Sequence, residues 1–387
     1  MKSNLKKDIW DNRNLRQSIL PIALIVCILA FSIIVRLYDT DENIQGQVIK
    51  TYLLDAQGNP MDVPDGTIDI GILTTRSGRY GFIGEEVLKG LELARQEVES
   101  MTNNDIKFCV KDSHCNPELA ETHLQSFENM DFIIVADCYK NGMYAFREDN
   151  LIFLRPYESE DDTNTYFDPE VGAEVRHFFD SLEVEPKEMM IVFPDDYYGT
   201  SYKESLKQEF SNRFGKRVTS SYAYEVGQEW FGTISLKIAS INPDSLFLVA
   251  EKEEDLLQMV PQIREQGYMN QIYINLPISE FKDVDPISFD DTIIITDFNP
   301  ISKRTIVQEF SEAMRNVFDQ EPSLHSARAY DSLLTLGSMI SESGKPGYDG
   351  LYNFEGVTGV MTMTNNHLKK TFYMLRIRNN QIVDFAE

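Results

Sequence analysis

The chain has 387 residues, enough for two domains with sizeable cores. Hydrophobic residues make up 42% and charged residues 25%, a balance that excludes a disordered chain. Asp and Glu outnumber Lys and Arg 62 to 36, a net charge of −26; such a surface repels phosphates, so no nucleic-acid partner is expected.

The first 17 residues carry five Lys or Arg against two Asp. The run SILPIALIVCILAFSIIV, Ser18 to Val35, then contains no charge. Eighteen helical residues rise about 27 Å, close to the ~30 Å of a bilayer's hydrocarbon core. Pro21 falls where the first turn of a helix tolerates it. The run ends in IIVRLYDT without a small-x-small cleavage site, and Cys27 sits mid-run behind Val26 rather than in a lipoprotein signal. Residues 18–36 therefore read as an uncleaved transmembrane anchor. By the positive-inside rule 1–17 is cytoplasmic, and everything beyond about residue 37 is extracytoplasmic, as in a single-pass cell-membrane protein. Residues 37–66 read as a stalk, with a small hairpin around Ala56-Gln57-Gly58.

From Thr67 onward apolar strands alternate with amphipathic helices. TIDIGILTT is apolar enough to be buried on both faces, and the following GEEVLKGLELARQEVESM places Val87, Leu88, Leu91 and Ala94 at helical spacing. IKFCV, a helix from Pro117 to Phe127, FIIVA and LIFL extend the series. A second series starts near Asp168 and runs through MMIVF, YKESLKQEFSNRF, VTSSYAYEV, LFLVA, EEDLLQMVPQIREQGY, QIYINL and TIIITDF. Two further helices, IVQEFSEAMRNVF and HSARAYDSLLTLGSMI, precede strand-like GVTGVMTMT and TFYMLRIRN. Such alternation implies α/β architecture: two Rossmann-like lobes with parallel sheets. Lobe 1 is expected at about 67–167 and 297–346, and lobe 2 at about 168–296 and 347–387. In open sheets of this type ligands sit beyond the carboxyl ends of the strands, so a cleft between lobes is the expected site.

Outside the anchor the cysteines are Cys109, Cys115 and Cys138. An extracytoplasmic location favours a disulfide; buried free thiols are the main alternative, and metal binding or catalysis the remainder. Cys109, inside an apolar run, reads as a core thiol. No metal site is expected, because the acidic run Glu158, Glu160, Asp161, Asp162 lacks the alternating ligands and glycine of a calcium loop. No cofactor is expected either. G-x-S-x-G, the P-loop and H-E-x-x-H are missing, and Tyr80-Gly81-Phe82-Ile83-Gly84 does not have dinucleotide-loop spacing, so the reading is not an enzyme.

Ile68 to Glu99 resembles the opening of the leucine/isoleucine/valine-binding proteins, the amino-acid receptors of ABC transporters. The resemblance lies in the strand, the Ser77-Gly78 turn, Gly84, and a helix ending at Ala94 to Glu99. Asp112 with Cys115-Asn116-Pro117, Tyr198-Gly199, ARAYDSLLTLGSMI and EGVTGVMTM resemble later family segments in the family's order, from Thr67 to the C-terminus. The resemblance implies the type I periplasmic-binding-protein fold, two lobes joined by a three-crossover hinge, here preceded by one transmembrane helix. It also implies a Cys115–Cys138 disulfide between adjacent strand-to-helix loops.

For the ligand, the resemblance implies Ser77, Gly78 and Tyr80 in the first loop, where a helix N-terminus favours an anion; Arg79, an unusual occupant of that loop, is a candidate bidentate partner for a carboxylate. Tyr139 stands where many relatives carry serine, and Arg155 and Tyr157 belong to a loop that normally supplies ligand contacts. Tyr198 matches an aromatic that packs on the ligand, Glu251 a position near the ligand amine, and His325 a position often aromatic or small. The expected activity is extracytoplasmic binding of a small polar solute (an amino acid, amide or small carboxylate) for delivery to an ABC permease. The alternatives are a sensor or adaptor working with a separate signalling partner, and a degenerate scaffold that no longer binds.

Overall fold

The computed structural model describes residues 66–138, 151–154, 165–166, 170–279, 281, 285–343, 351–364 and 367–385. The expected anchor at 18–36, and the stalk up to residue 65 with its hairpin, lie outside them. Among the described residues no helix is long and apolar enough to cross a membrane.

The described residues build two sheets. The first opens with β1 (Gly66–Thr74), β2 (Asn104–Asp112), β3 (Phe132–Ala136), β4 (Leu151–Phe153) and β5 (Thr165–Tyr166), all parallel, in the spatial order β2-β1-β3-β4-β5. The second repeats that order with β6 (Met189–Pro194), β7 (Ser220–Tyr224), β8 (Ser245–Leu248), β9 (Gln271–Ile274) and β10 (Ile293–Thr296), as β7-β6-β8-β9-β10. The strands are short and rich in Ile, Val, Leu and Phe because helices cover both faces of each sheet; β3, β6, β8 and β10 are buried at every residue.

Helices α1 (Gly81–Thr102) and α2 (Pro117–Gln125) follow β1 and β2. Asn116 caps α2, its side chain accepting from Leu119 N–H at 2.9 Å, and Pro117 occupies the first turn, where no N–H is needed. Around the second sheet lie α3 (Val171–Asp180), α4 (Tyr197–Phe214), α5 (Gly232–Ile241), α6 (Glu253–Glu265) and the single-turn α7 (Pro286–Phe289). Then α8 (Thr305–Phe318) leads to α9 (Leu324–Ser343), which packs along α1.

The two halves use one glycine device at matching places. A Cβ on Gly84 would lie 2.3 Å from the carbonyl oxygen of Thr75, and one on Gly199 would lie 2.1 Å from that of Pro194. At each place the helix's first turn presses against the end of the strand before it, and only glycine leaves room. Gly84 also donates its N–H to that Thr75 carbonyl at 3.0 Å.

Among the described residues the chain crosses between sheets three times: after β5, after β10, and between Lys370 and Tyr373. The last crossing corrects the expected boundary, which gave all of 347–387 to the second lobe. Strands β11 (Leu351–Gly356), β12 (Gly359–Thr364) and β13 (His367–Lys370) extend the first sheet, β13 pairing with β5. Only β14 (Tyr373–Arg378) and β15 (Gln381–Asp384) join the second, antiparallel to β10. The segment read as one strand, GVTGVMTMT, contains the β11–β12 turn. Asp331 on α9 holds that turn, accepting from the N–H groups of Val357 and Thr358, each at 2.7 Å.

Buried charges hold the crossings together. Asp297, just after β10, accepts from Arg328 Nη2 on α9 at 2.8 Å and from Lys370 Nζ at the end of β13 at 2.9 Å. Burial alone would raise the Asp297 carboxyl, but the two cations outweigh it and hold the group well below the usual carboxylate range.

Candidate functional site

In each sheet the chain turns to one side after the first strand and to the other after the third, so β1/β3 and β6/β8 are the switch points. The loops leaving these four strands carry most of the candidate residues.

After β1, Thr75 and Ser113 meet at the buried Asp137 beyond β3, whose Oδ1 accepts from Thr75 Oγ1 at 2.6 Å, Ser113 Oγ at 2.9 Å and Cys138 N–H at 2.7 Å. Cys115 and Cys138 form a disulfide with Cα atoms 5.8 Å apart, and Cys109 is a free thiol. The bridge ties the β2–α2 loop to the end of β3 beside this cluster. Asp137 carried no readable signal, because it ends an apolar run and its partners Thr75 and Ser113 are far away in the chain.

Ser77 Oγ is hydrogen-bonded to His114 Nδ1, and Asp112 Oδ2 lies 3.6 Å from the same nitrogen. A hydrolytic Ser-His-Asp relay needs the two ring nitrogens separately, one for each partner; here both partners meet one nitrogen, so the trio fixes the loop instead. Burial raises the Asp112 carboxyl, but N–H groups of Arg76 and His114 outweigh it, and the net displacement is downward. Gly78 takes φ +70°, in a single 3-10 turn over Gly78–Tyr80.

The next residues reach across to the second sheet. Tyr80 hydroxyl donates to Asp196 Oδ2 at 3.0 Å, and Asp196 Oδ1 caps α4 by accepting from Gly199 N–H at 2.8 Å. Arg79 Nη2 lies 3.5 Å from Glu225 Oε2, both well exposed, a pair of little energetic weight. His325, at the start of α9, places Nε2 3.2 Å from the carbonyl oxygen of Glu251, and its ring lies 5.9 Å from that of Phe82.

On the second sheet, Tyr198 accepts from Asn275 Nδ2 at 2.7 Å, while Asn275 Oδ1 accepts from Ala250 N–H at 2.7 Å, so the phenol is held between two strand ends. Glu251 follows β8 and is 4% exposed. Tyr80, Arg79 and His325 thus reach groups of the second half (Asp196, Glu225 and the Glu251 carbonyl), whereas Ser77 and Gly78 stay in the first-sheet loop and Tyr198 stands in the first turn of α4; of these residues Glu251 and His325 line the cavity. Tyr139, Arg155 and Tyr157 lie outside the described residues. Asp196, Asn275 and Glu225 are the partners that Tyr80, Tyr198 and Arg79 meet on the second half; the N-cap position of Asp196 before a helix was the available signal for the first.

Beside these loops opens a cavity of about 780 Å³. It is walled from the first half by α1 and the α8–α9 connection, and from the second by the loops after β8 and β9. Among the described residues no group of three His, Cys, Asp or Glu is arranged to hold a metal ion.

Two parallel-sheet units, three crossings and a cavity between facing loops define a cleft-binding protein of the type I α/β class. The chain belongs to the periplasmic binding protein family, which it matches over residues 67–381. It is similar in structure to the leucine-binding protein LivK of Thermotoga maritima (TM-score 0.66, 15% identity, 82% of this chain and 97% of that one). It is likewise similar to LivJ of Streptococcus pneumoniae, a branched-chain amino-acid transporter substrate-binding protein solved with isoleucine (TM-score 0.66, 17% identity, covering 82% and 97%). A solute-binding protein of Rhodopseudomonas palustris solved with benzoate gives a TM-score of 0.67 at 15% identity, covering 83% and 96%. These identities establish a common fold. No curated protein matches the chain in sequence.

Proposed function

We propose that the chain is a membrane-tethered extracytoplasmic solute receptor that closes its two lobes on a small ligand and passes it to an ABC permease. The observation that carries this reading is the cavity of about 780 Å³ walled by both halves of the molecule. A solute there touches both walls only when they are together, so binding and closure are one equilibrium. The volume falls in the range of small-molecule sites. The family supports a binding role rather than an enzymatic one, and related structures hold isoleucine and benzoate. Tethering rests on the uncharged run from Ser18 to Val35 behind a basic N-terminal segment.

A second reading has its own support. Tyr80 with Asp196, Arg79 with Glu225 and His325 with the Glu251 carbonyl already bridge the halves through protein groups alone. A protein closed in this way suits a sensor or scaffold that presents one fixed face to a membrane partner.

Small-angle scattering of the full chain in detergent, with and without amino acids, amides, benzoates and amines, separates the two. A solute that raises the melting temperature and also changes the radius of gyration supports the receptor. Folded protein with invariant scattering and no thermal response across the panel supports the scaffold. The tether is tested by membrane fractionation: loss of membrane association on deleting residues 18–36 is the expected result, and association that persists would overturn it.

A further inference from the structure

We propose that the outer edge of β2 is a self-association surface, on which a second copy of the chain pairs antiparallel about a two-fold axis at Phe108. The proposal does not depend on any solute and holds for receptor and scaffold alike.

Among the described residues β2 ends the first sheet, with β1 on one side and no strand on the other. Its pairing with β1 runs unbroken from Asn104 to Asp112, without proline or bulge, so nine residues present one continuous edge. Backbone groups on that edge turn away from the sheet: Glu99 Oε1, on α1, accepts from the Ile106 N–H at 3.0 Å. N–H groups two residues apart in a strand point the same way, so those of Phe108 and Val110 face outward as well. Among the described residues no side chain accepts from either. A long edge of this kind is a template for another strand.

The side chains of β2 say which strand fits. On one face Ile106, Phe108 and Val110 join the main core, and Phe108 and Val110 are only half-buried. On the other face stand Asp105, Lys107, Cys109 and Lys111. A two-fold axis near the middle of the strand can pass at Lys107, Phe108 or Cys109. At Lys107 it sets that ammonium against itself, and at Cys109 it sets Lys107 against Lys111 twice. At Phe108 it sets Asp105 against Lys111 of the second copy twice, Ile106 against Val110, and Phe108 against its own copy. Among the described residues neither Asp105 nor Lys111 has an ion-pair partner in its own chain. The Phe108 register therefore pairs both charges and covers the half-buried apolar row. Edge lysines ordinarily turn other strands away; here they select one alignment. Glu99 is the competitor, because it holds the N–H that would bond to the Val110 carbonyl of the second copy.

The test is sedimentation velocity of the full chain in detergent across a wide range of concentration. The wild type is compared with Asp105→Lys, with the exchange Asp105→Lys/Lys111→Asp, and with Glu99→Ala. The wild type should pass from monomer to dimer as concentration rises. Asp105→Lys places like charge opposite Lys111 at both symmetry-related positions, so association should weaken about tenfold or more. The exchange should return it to within about threefold of wild type. Glu99→Ala releases the Ile106 N–H and should tighten association, a gain that damage to the fold does not produce. Unaltered melting temperatures would show that the variants fold. A wild type that stays monomeric at every concentration would overturn the proposal. A dimer unmoved by the charge variants would place the interface elsewhere, the anchor segment included, and overturn it too. So would a defect in Asp105→Lys that the exchange fails to repair.

Discussion

The hydroxyl of Tyr80 donates to Asp196 Oδ2 at 3.0 Å, joining the loop after the first strand of one sheet to the helix cap after the first strand of the other. Asp196 keeps its bond to Gly199 N–H at 2.8 Å without the tyrosine, so the cap survives when the hydroxyl is removed. Tyr80→Phe should therefore cost only about 1 kcal/mol of stability. It should shift the unliganded protein toward open forms, seen as a larger radius of gyration. A radius identical to wild type would show that this contact does not hold the halves together.

The disulfide closes a loop between residues 23 positions apart and supports the loop that meets Asp137. Replacing Cys115 and Cys138 with serine should lower unfolding stability by about 3 kcal/mol on loop-entropy grounds. Alkylation of the unreduced protein followed by peptide mass analysis should modify Cys109 and leave Cys115 and Cys138 unmodified. Alkylated Cys115 or Cys138 would contradict the bridge.

How much of this was readable beforehand differs by element. The apolar runs of β1, β3, β6 and β8 and the periodic helices between them announced the alternation, because buried parallel strands have few other sequence solutions. The Cys115–Cys138 pairing came through resemblance rather than spacing. Sheet membership of residues 351–370 was not readable, since nothing local in a short strand says which of two sheets it will join. That choice depends on β5, Asp331 and Arg304, the last donating to the carbonyls of Gly356 and Val357 at 2.7 Å each. The cavity was hidden for the same reason: its lining comes from four separate segments.

Asp297 is fully buried between Arg328 and Lys370. Asp297→Asn leaves two buried cations without their counter-charge, a loss expected at roughly 3–5 kcal/mol in urea unfolding. Replacement of an exposed partner pair, Arg79→Gln with Glu225→Gln, should change stability by less than about 1 kcal/mol. Comparable losses in the two proteins would remove the distinction between hinge and rim charges.

Asp255, buried in the first turn of α6, has its carboxyl pushed up to about 6 by burial, an effect only partly offset by the Gly227 N–H donated at 2.8 Å. A carboxyl that binds its proton more tightly in the folded state makes stability fall as pH rises from 3.8 to about 6, and the deficit persists above that range. Asp255→Asn should be more stable than wild type at pH 7.5 by on the order of 2 kcal/mol, the gain shrinking as pH falls toward the unfolded value. A constant difference across that range would rule out this carboxyl as the source.

The close approach at Gly199 gives a prediction about packing alone. A methyl group 2.1 Å from the Pro194 carbonyl oxygen cannot be accommodated without moving helix or strand. Gly199→Ala should lose about 1–3 kcal/mol, and Gly84→Ala a similar amount, both measurable as lower denaturant midpoints at unchanged slope.

The threading of residues 351–384 has a consequence for biosynthesis. β11–β13 finish the first sheet and β14–β15 finish the second, so both cores wait for the same late stretch of chain to leave the ribosome. Neither half can complete while the other is still being made, and β5 and β10 remain open edges until then. Long-range pairings of this kind close slowly and leave strand edges exposed to other chains in the meantime. Nascent chains stalled before residue 351 should therefore be protease-sensitive throughout, and dependent on whatever shields open sheets during synthesis.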